Sequence, residues 1–364
     1  MSENEKFLHL IRCKFLTPEL IDLIFAESDL MCRVLNYRED VGIRAYRDAI
    51  RKEFIDNAIV VASFFVEESL RTRWSFEGAA ARLGARVIST ENAAKFSSMA
   101  KGESLEHSIR VISGLAFPNA RYVDLIVLRH TEEGAAKRAM KVSSVPIINA
   151  GDGPGEHPTQ ALLDIYTILK ILGRMGDFSI ALIGDLLNSR TIHSILYLLS
   201  LPHPEFKGIK IYLISHPAYR VKDGLRQHMV SKGVWFKEIV DVKEYKGIMK
   251  SVHVAYMTRP QSNRVNWQNQ DEVKIFNEAR GWFYIDREIA DNMLADGIIL
   301  HPLPIDSANP DYLPEIRPEV DNHPKAMMFR EVGFGFVIRM ALQKILLENW
   351  GFIPRVDPKE YVMD

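Results

Sequence analysis

The chain has 364 residues, enough for about two domains of ordinary size. Hydrophobic residues make up 47 % and charged residues 26 %, which is typical of a globular chain and excludes a disordered or low-complexity protein. The 46 Lys and Arg against 47 Asp and Glu give a net charge of -1, so the chain as a whole has no electrostatic attraction to nucleic acid or to an anionic membrane.

Short runs rich in Val and Ile alternate with longer segments of helical periodicity. They predict strands at residues 58–65, 86–89, 122–129, 145–149, 179–184, 209–215, 253–257, 283–285 and 297–300. Helical patterns include residues 73–83, 159–171, 191–201 and 331–349. Runs without polar alternation are typical of parallel strands buried on both faces. The fold class is therefore α/β, with two domains, each a parallel β-sheet flanked by helices, and a C-terminal helix joining them.

A glycine-rich break at residues 173–177 separates the two runs of strands. We place the first domain at residues 1–172 and the second at 173–325. The C-terminal helix and tail, residues 326–364, are expected to pack back on the first domain.

The cysteine content and the length of the apolar stretches limit the kinds of metal site, disulfide and membrane segment that the chain could contain. Two cysteines, Cys13 and Cys32, exclude a disulfide framework and a cysteine-rich metal site. The apolar stretches fall far short of about 20 residues, and the charged opening residues do not resemble a secretion signal. We therefore expect a cytoplasmic protein with no metal, no cofactor, and no nucleic-acid or membrane partner.

In open α/β sheets, ligands bind beyond the carboxyl ends of the strands. The first strand leads directly into Ser69-Leu70-Arg71-Thr72-Arg73, where a helix begins. Hydroxyls, guanidinium groups and the N–H groups of a helix start suit a dianionic phosphate. The alternative is an ordinary N-cap followed by surface arginines.

Two other strands in the first half end in polar side chains. Arg129 ends the third strand and is either a ligand or a surface arginine. The Gly- and Pro-rich loop after the fourth strand leads to His157 and Gln160, which share one face of a first helical turn. The histidine could polarise a carbonyl or move a proton, and the glutamine could bind an amide. The alternatives are a loop-capping histidine and a solvated glutamine.

The second half repeats this arrangement. Arg190 follows the fifth strand at a helix start without the glycines of a dinucleotide fingerprint. Arg259 and Gln261 follow the strand at 253–257, and His-Pro-Leu-Pro at 301–304 follows the last strand. Four arginines at strand ends or at the helix starts that follow them indicate a pocket for a small molecule with several negative charges.

Three motifs together resemble those of the aspartate/ornithine carbamoyltransferases: Ser69-x-Arg71-Thr72-Arg73, His157-Pro158-Thr159-Gln160 and His301-Pro302-Leu303-Pro304. The resemblance runs in the right order from about residue 64 to the C-terminal helix. Gly-Asp-Gly at 151–153 and Met-Thr-Arg-Pro-Gln at 257–261 resemble the branch that uses aspartate. Ornithine enzymes usually carry Cys where this chain has Thr159 and Pro302.

The resemblance implies transfer of the carbamoyl group of carbamoyl phosphate to the α-amine of L-aspartate, the committed step of de novo pyrimidine biosynthesis. The first domain would bind carbamoyl phosphate and the second aspartate. The catalytic residues implied are Arg71, Thr72, Arg129, His157 and Gln160. Carbamoyl phosphate would also contact Ser69, Leu70, Ser97, Lys101, Pro302 and Leu303. The residues implied for aspartate are Lys101, Arg190, Arg259 and Gln261.

The resemblance also implies a homotrimer with shared sites. Residues 97–102 resemble the family's loop that reaches the neighbouring subunit, where Ser97 and Lys101 would contact its ligands. From the residues alone, Lys101 could equally be a solvated loop charge. A separate regulatory chain is a possible further partner.

Two departures from the family pattern bear on the acceptor. Leu70 stands where aspartate enzymes usually have Thr, and Ile305 stands where an arginine follows His-Pro-Leu-Pro; residues 309–320 also form a longer segment than usual. Leu70 and Ile305 favour another acceptor, such as N-acetylornithine. Arg190 and Arg259 oppose it, since a single carboxylate would leave one of them unpaired in a closed pocket. A non-catalytic relative is a third hypothesis, opposed by the retention of the charged site residues.

Overall fold

The structure is a computed structural model that describes residues 8–36, 40–115, 117, 120–262, 265–307 and 313–362. Contacts between Cα atoms divide the chain into two units, residues 1–162 with 334–364 and residues 163–333. Each unit contains one parallel β-sheet flanked by helices. The α/β fold class predicted from the alternating pattern is confirmed.

The first unit contains β1 (Val60–Phe65), β2 (Arg86–Thr90), β3 (Leu125–His130) and β4 (Ile147–Asp152), paired in the order β2-β1-β3-β4. Its helices are α1 (Pro18–Leu35), α2 (Val41–Asp56), α3 (Leu70–Leu83), α4 (Ala93–Phe96), α5 (Leu105–Ile112), α6 (Ala135–Met140) and the start of α7 (Pro158–Leu172). Short 3-10 helices lie at Cys13–Phe15, Ser98–Lys101 and Pro358–Glu360. The side chains of β3 from Leu125 to Leu128 are buried, as expected for an inner parallel strand.

The second unit contains β5 (Ser179–Ile183), β6 (Lys210–Ile214), β7 (Phe236–Ile239), β8 (Val254–Met257) and β9 (Ile298–Leu300), paired in the order β7-β6-β5-β8-β9. Its helices are α8 (Arg190–Leu199), α9 (Asp223–Ser231), α10 (Val242–Met249), α11 (Gln270–Ala279) and α12 (Arg287–Asn292). The last helix, α13 (Met328–Trp350), begins in this unit and ends in the first. Two 3-10 helices lie at Pro217–Tyr219 and Pro318–Val320.

Eight of the nine predicted strands are present, with ends that differ by a few residues. The strand predicted at 283–285 is wrong: Phe283 and Ile285 are buried core residues, but Ile285 forms only an isolated bridge to Ile316. Strand β7 was not predicted, because it is an edge strand in which the exposed Lys237 and the half-buried Glu238 interrupt the apolar pattern of a buried strand.

The two divisions of the chain, at 162/163 and 333/334, fall inside α7 and α13. The sequence-based boundaries lie instead at 172/173 and 325/326, outside these helices, and they stay predictions. Over the described residues, no helix has the length and apolar character needed to cross a membrane.

The C-terminal half of α13 is joined to α1 and α2 by a buried charge network. Lys344 Nζ lies 3.2 Å from Glu27 Oε2 and 3.0 Å from Glu348 Oε1. The Tyr46 hydroxyl donates a 2.8 Å hydrogen bond to the other oxygen of Glu27. Burial raises the pKa of Glu348 although Lys344 opposes this. The Gln343 amide adds a 3.2 Å bond to the Phe76 carbonyl of α3.

We predict that Lys344→Met lowers the free energy of unfolding by about 3–5 kcal/mol, because two buried carboxylates lose their cation. Denaturant unfolding of the purified protein measures the change. The matched control is Lys359→Met, an exposed lysine of the same tail, which should change stability by less than about 0.5 kcal/mol. Equal stability of the two variants would contradict the assigned role of the network.

Candidate active site

The start of α3 carries positive charge where helices usually carry negative charge. In this fully described stretch, Ser69 occupies the N-cap position, its hydroxyl accepts no capping hydrogen bond, and the first turn contains no acidic residue. Leu70 and Arg71 are exposed and Thr72 is partly exposed. Because a helix start attracts anions, a cation beside it creates a site for a doubly charged anion.

Arg129 lies at the carboxyl ends of three neighbouring strands. It is the register partner of Phe65 in β1, and its carbonyl accepts a 2.8 Å hydrogen bond from Val66 N–H. Its guanidinium donates to Glu67 Oε1 at 2.6 Å and to the carbonyl of Ala150 in β4 at 3.3 Å. The side chain is 11 % exposed, which excludes the alternative of a surface arginine.

The loop after β4 has a constrained backbone. Gly153 has φ +55°, and a β-carbon there would lie 2.2 Å from the Thr131 carbonyl oxygen, so only glycine fits without movement. The buried Asp152 accepts hydrogen bonds from Gly134 N–H at 2.9 Å and from Glu156 N–H at 2.9 Å. These contacts join the loop to the segment that follows β3.

His157 directly precedes α7 and Gln160 lies in its first turn; both are buried, with exposures of 4 % and 8 %. Burial excludes the alternative of a solvated glutamine. Nδ1 of His157 lies 3.3 Å from the Thr159 hydroxyl, and the His157 carbonyl accepts a 2.9 Å bond from Gln160 N–H. An imidazole and a primary amide therefore occupy the same sheet edge as Arg129, because parallel strands end there together.

Ser97 and Lys101 lie at the two ends of the short 3-10 turn that follows α4. The Ser97 hydroxyl accepts from Met99 N–H at 3.1 Å and donates to the Ala93 carbonyl at 2.6 Å. Lys101 is exposed. Just before this turn, Glu91 forms a 3.1 Å ion pair with Arg73, which holds the segment against the start of α3.

In the second unit, Arg190 begins α8, and Arg259 and Gln261 follow β8; all three are partly exposed. Gln261 N–H donates to Asp185 Oδ2 at 3.3 Å, and Gln261 Nε2 donates to the Arg259 carbonyl at 3.2 Å. Burial raises the pKa of Asp185, although Asn188 and other amides donate to it. The loop after β5 is therefore tied to the loop after β8.

The His-Pro-Leu-Pro segment is fixed by a buried histidine. His301 Nδ1 accepts the Leu303 N–H at 2.8 Å, so Nε2 carries the proton that it donates to Glu315 at 2.9 Å. Burial alone would raise the pKa of Glu315, but the hydrogen bond from His301 and the backbone amides that donate to this carboxylate hold the pKa below its usual value. Pro302 and Leu303 are partly exposed, and Leu303 has φ +52°.

The two family departures have different surroundings. Leu70 is 55 % exposed at the start of α3, where its N–H group belongs to the helix start. Ile305 packs against the hydrophobic core of the second unit. The next residue, Asp306, forms a short ion pair with Arg280. Positions 309–312 of the longer segment lie outside the described residues.

A small cavity at the carboxyl ends of β5, β6 and β8 contains residues that the sequence analysis missed, namely His216, Tyr219 and Arg280. His216 follows β6 by two residues, so the strand-end rule applied to that strand would have found it. Arg280 had no such signal, since it lies just after the end of α11. Within the described part of the chain, no group of three or more His, Cys, Asp or Glu side chains could hold a metal ion.

The site residues thus form two groups at two sheet edges. In the first unit they are Ser69, Leu70, Arg71, Thr72, Arg129, His157 and Gln160, with Ser97 and Lys101 on the adjacent turn. In the second unit they are Arg190, Arg259, Gln261, Pro302 and Leu303. The first group suits a phosphate group attached to a carbonyl group, and the second suits a carboxylate ligand.

Comparison with known families agrees with this division. The aspartate/ornithine carbamoyltransferase carbamoyl-P binding domain matches residues 9–170, and the Asp/Orn binding domain of the same family matches residues 176–346. The chain belongs to the aspartate/ornithine carbamoyltransferase family.

The similar relatives and structures are aspartate enzymes. The chain is 38 % identical over 341 residues to the aspartate carbamoyltransferase catalytic subunit of Methanocaldococcus jannaschii, covering 94 % of this chain and 98 % of that one. It is 44 % identical over 291 residues to the chloroplastic aspartate carbamoyltransferase of Arabidopsis thaliana, covering 80 % and 68 %.

Among solved structures, aspartate transcarbamoylase of Trypanosoma cruzi in complex with N-(phosphonacetyl)-L-aspartic acid is similar with a TM-score of 0.77 and 29 % identity. The match covers 93 % of this chain and 95 % of that one. The same enzyme is known with carbamoyl phosphate and aspartate bound.

Proposed function

We propose that the chain transfers the carbamoyl group of carbamoyl phosphate to the α-amine of L-aspartate, giving N-carbamoyl-L-aspartate and phosphate, within pyrimidine biosynthesis. The observation that carries this proposal is one sheet edge where the start of α3, whose first turn has arginines and no acidic residue, meets Arg129 and the buried His157 and Gln160. The relatives that bind these two substrates support the same reaction.

The phosphate group is held by charge and by the helix start. Ser69, the backbone N–H groups that follow it, Arg71 and Arg129 donate to the phosphate oxygens. The amide of Gln160 and the backbone carbonyls of Pro302 and Leu303 hold the amino group of the substrate. The two carboxylates of aspartate are bound by Arg190, Arg259 and Gln261, with Lys101 contributing to both substrates.

The uncharged amine of aspartate attacks the carbonyl carbon, and the carbonyl oxygen becomes negatively charged. Thr72, Arg129 and His157 donate hydrogen bonds to that oxygen, each worth about 3–4 kcal/mol in comparable sites. The tetrahedral intermediate then loses phosphate, which leaves with the bonding electrons and accepts the proton of the amine. No side-chain nucleophile takes part in this sequence.

The test is phosphate release from carbamoyl phosphate with aspartate, ornithine and N-acetylornithine offered separately to the purified chain. Turnover with aspartate alone is the expected result, and it would also show that catalysis needs no separate regulatory chain. Turnover with N-acetylornithine only would leave the phosphate-binding roles of the first unit's residues intact. It would overturn the roles of Arg190 and Arg259. No turnover with any acceptor would favour a non-catalytic relative.

We also propose a homotrimer in which Ser97 and Lys101 act in the site of the neighbouring chain. Large apolar side chains are exposed on the elements beside this turn: Leu70 and Trp74 on α3, Ile88 on β2 and Phe96 on α4. Exposed apolar residues on neighbouring elements are typical of a surface that another chain covers. A second copy of this chain would cover them while Lys101 reaches its site.

Subunit mixing tests the shared site. Lys101→Ala and His157→Ala chains are expected to be inactive when each is assayed alone. Denatured and refolded together, they should regain activity, because a mixed trimer contains sites with an intact His157 from one chain and an intact Lys101 from the next. A mixture that stays inactive while the wild-type chain survives the same refolding would show that each site is built from a single chain.

We propose the cytoplasm as the place of action, although the plant relatives are chloroplastic. Detection of the protein in fractions of its source cells tests this. Its appearance in an organelle fraction would overturn the proposal.

A further inference from the structure

The N-terminal segment of the chain runs along β4 as far as the end of that strand. Leu10 N–H donates to the Ile147 carbonyl at 2.9 Å, and the Leu10 carbonyl accepts from Asn149 N–H at 2.8 Å. The Asn149 side chain then donates to the Ile11 carbonyl at 2.9 Å. Residues 12 and 13 are thereby brought to the loop that precedes His157.

Glu156 connects that loop to the N-terminal segment. Its side chain is 4 % exposed, and Oε2 accepts a 2.7 Å hydrogen bond from Cys13 N–H. Its other oxygen, Oε1, lies 3.7 Å from Arg12 Nε. The Glu156 backbone N–H is bound to Asp152, so the residue is held through both its side chain and its main chain.

The charged groups that act on Glu156 come from two elements. Burial raises the pKa of Glu156 to about 7, the Cys13 amide and Arg12 oppose the rise, Asp152 of β4 adds to it, and Lys14 opposes it weakly. The carboxyl group therefore changes its charge across the neutral pH range. Only the ionised form attracts the Arg12 guanidinium.

We propose that ionised Glu156 is a positioning residue for His157. Its carboxylate, bound to Arg12 and to the Cys13 amide, holds residues 153–157 against the N-terminal segment and so sets the position of the imidazole that follows it in the chain. The inference rests on the proposed function, in which His157 donates to the carbonyl oxygen. A donor displaced by a fraction of an ångström stabilises that oxygen less.

The test is the ratio of kcat/KM for carbamoyl phosphate in Glu156→Gln to that of the wild-type chain, measured from pH 5.5 to 9 at saturating aspartate. Ionisation of the substrates cancels in this ratio. Below pH 6 the neutral carboxylic acid and the amide are equivalent, so the ratio should be close to one. Above pH 8 it should fall to about one tenth, with a midpoint near 7.

Two further variants make the test specific. Arg12→Gln removes a cation that lowers the pKa of Glu156, so its own activity profile should have its midpoint above that of the wild type. Glu348→Gln is the matched control, because Glu348 is also a buried carboxyl with a raised pKa, a cationic partner in Lys344 and a backbone donor in Val356. The ratio of kcat/KM for carbamoyl phosphate in Glu348→Gln to that of the wild type should not change with pH.

Thermal unfolding separates positioning from a structural role. The pKa of Glu156 is higher in the folded chain than its ordinary value of 4.5, so its ionisation weakens the fold as pH rises through 4.5 to 7. Glu156→Gln lacks this loss of stability. As pH rises, its Tm relative to that of the wild type should therefore increase, while its activity relative to that of the wild type decreases. A purely structural role would lower Tm and activity together.

Each outcome bears on a different claim. A ratio that stays flat with pH, in a wild-type chain that turns over carbamoyl phosphate and aspartate, would overturn the positioning role and leave the proposed function intact. A wild-type chain that is inactive with every acceptor would overturn the proposed function and this inference with it.

Discussion

Replacing Arg71 with alanine is expected to lower kcat/KM for carbamoyl phosphate by about 10³-fold, because the start of α3 loses a charge-assisted contact to the phosphate. The KM for aspartate should change little. Inorganic phosphate, the product, should also inhibit the variant more weakly than the wild type. Initial rates at varied carbamoyl phosphate, with and without added phosphate, measure both effects.

The matched control is Arg82→Ala, which removes the same charge from the exposed last turn of the same helix. Its activity should equal that of the wild type. The stability effects should have opposite signs, since a cation is unfavourable at the start of α3 and favourable at its end, by about 0.3–1 kcal/mol each. An Arg71→Ala chain with unchanged affinity for carbamoyl phosphate would exclude the phosphate role of the α3 start.

Much of the fold follows from local pattern. The Val- and Ile-rich runs located β1, β3, β5 and β8 because parallel strands in the middle of a sheet are buried on both faces. The same rule fails at sheet edges, where β7 exposes Lys237. The rule also wrongly predicts a strand at residues 283–285, because a short apolar run is equally consistent with core residues that form no β-ladder.

The candidate site was predictable where it follows strand ends. Arg129 lies in a strand end, and His157 and Arg190 follow within seven residues of one. The family motifs added Ser97 and Lys101, which no spacing argument supplies. Glu156 also follows β4, but its position after a strand does not reveal what it binds. Its partners Arg12 and Cys13 are more than 140 residues away in sequence, and a glutamate in a loop is usually solvated.

In the proposed function, the arginines of the second unit bind the acceptor. Arg259→Ala is expected to raise the KM for aspartate by about 10²- to 10³-fold, because one of the two carboxylates of aspartate loses its cationic partner. The KM for carbamoyl phosphate should stay within about twofold, as expected for a change confined to acceptor binding. Steady-state kinetics with each substrate varied in turn separates the two constants.

Arg287→Ala is the control, since that side chain is 70 % exposed on α12 and its loss removes the same charge from the same unit. It should leave both KM values unchanged. Arg259→Ala should also fail to gain activity with N-acetylornithine, because loss of one cation does not create contacts for an acetyl group. An unchanged KM for aspartate in Arg259→Ala would mean that the second carboxylate is bound elsewhere, and Arg280 in the adjoining cavity would be the next residue to replace.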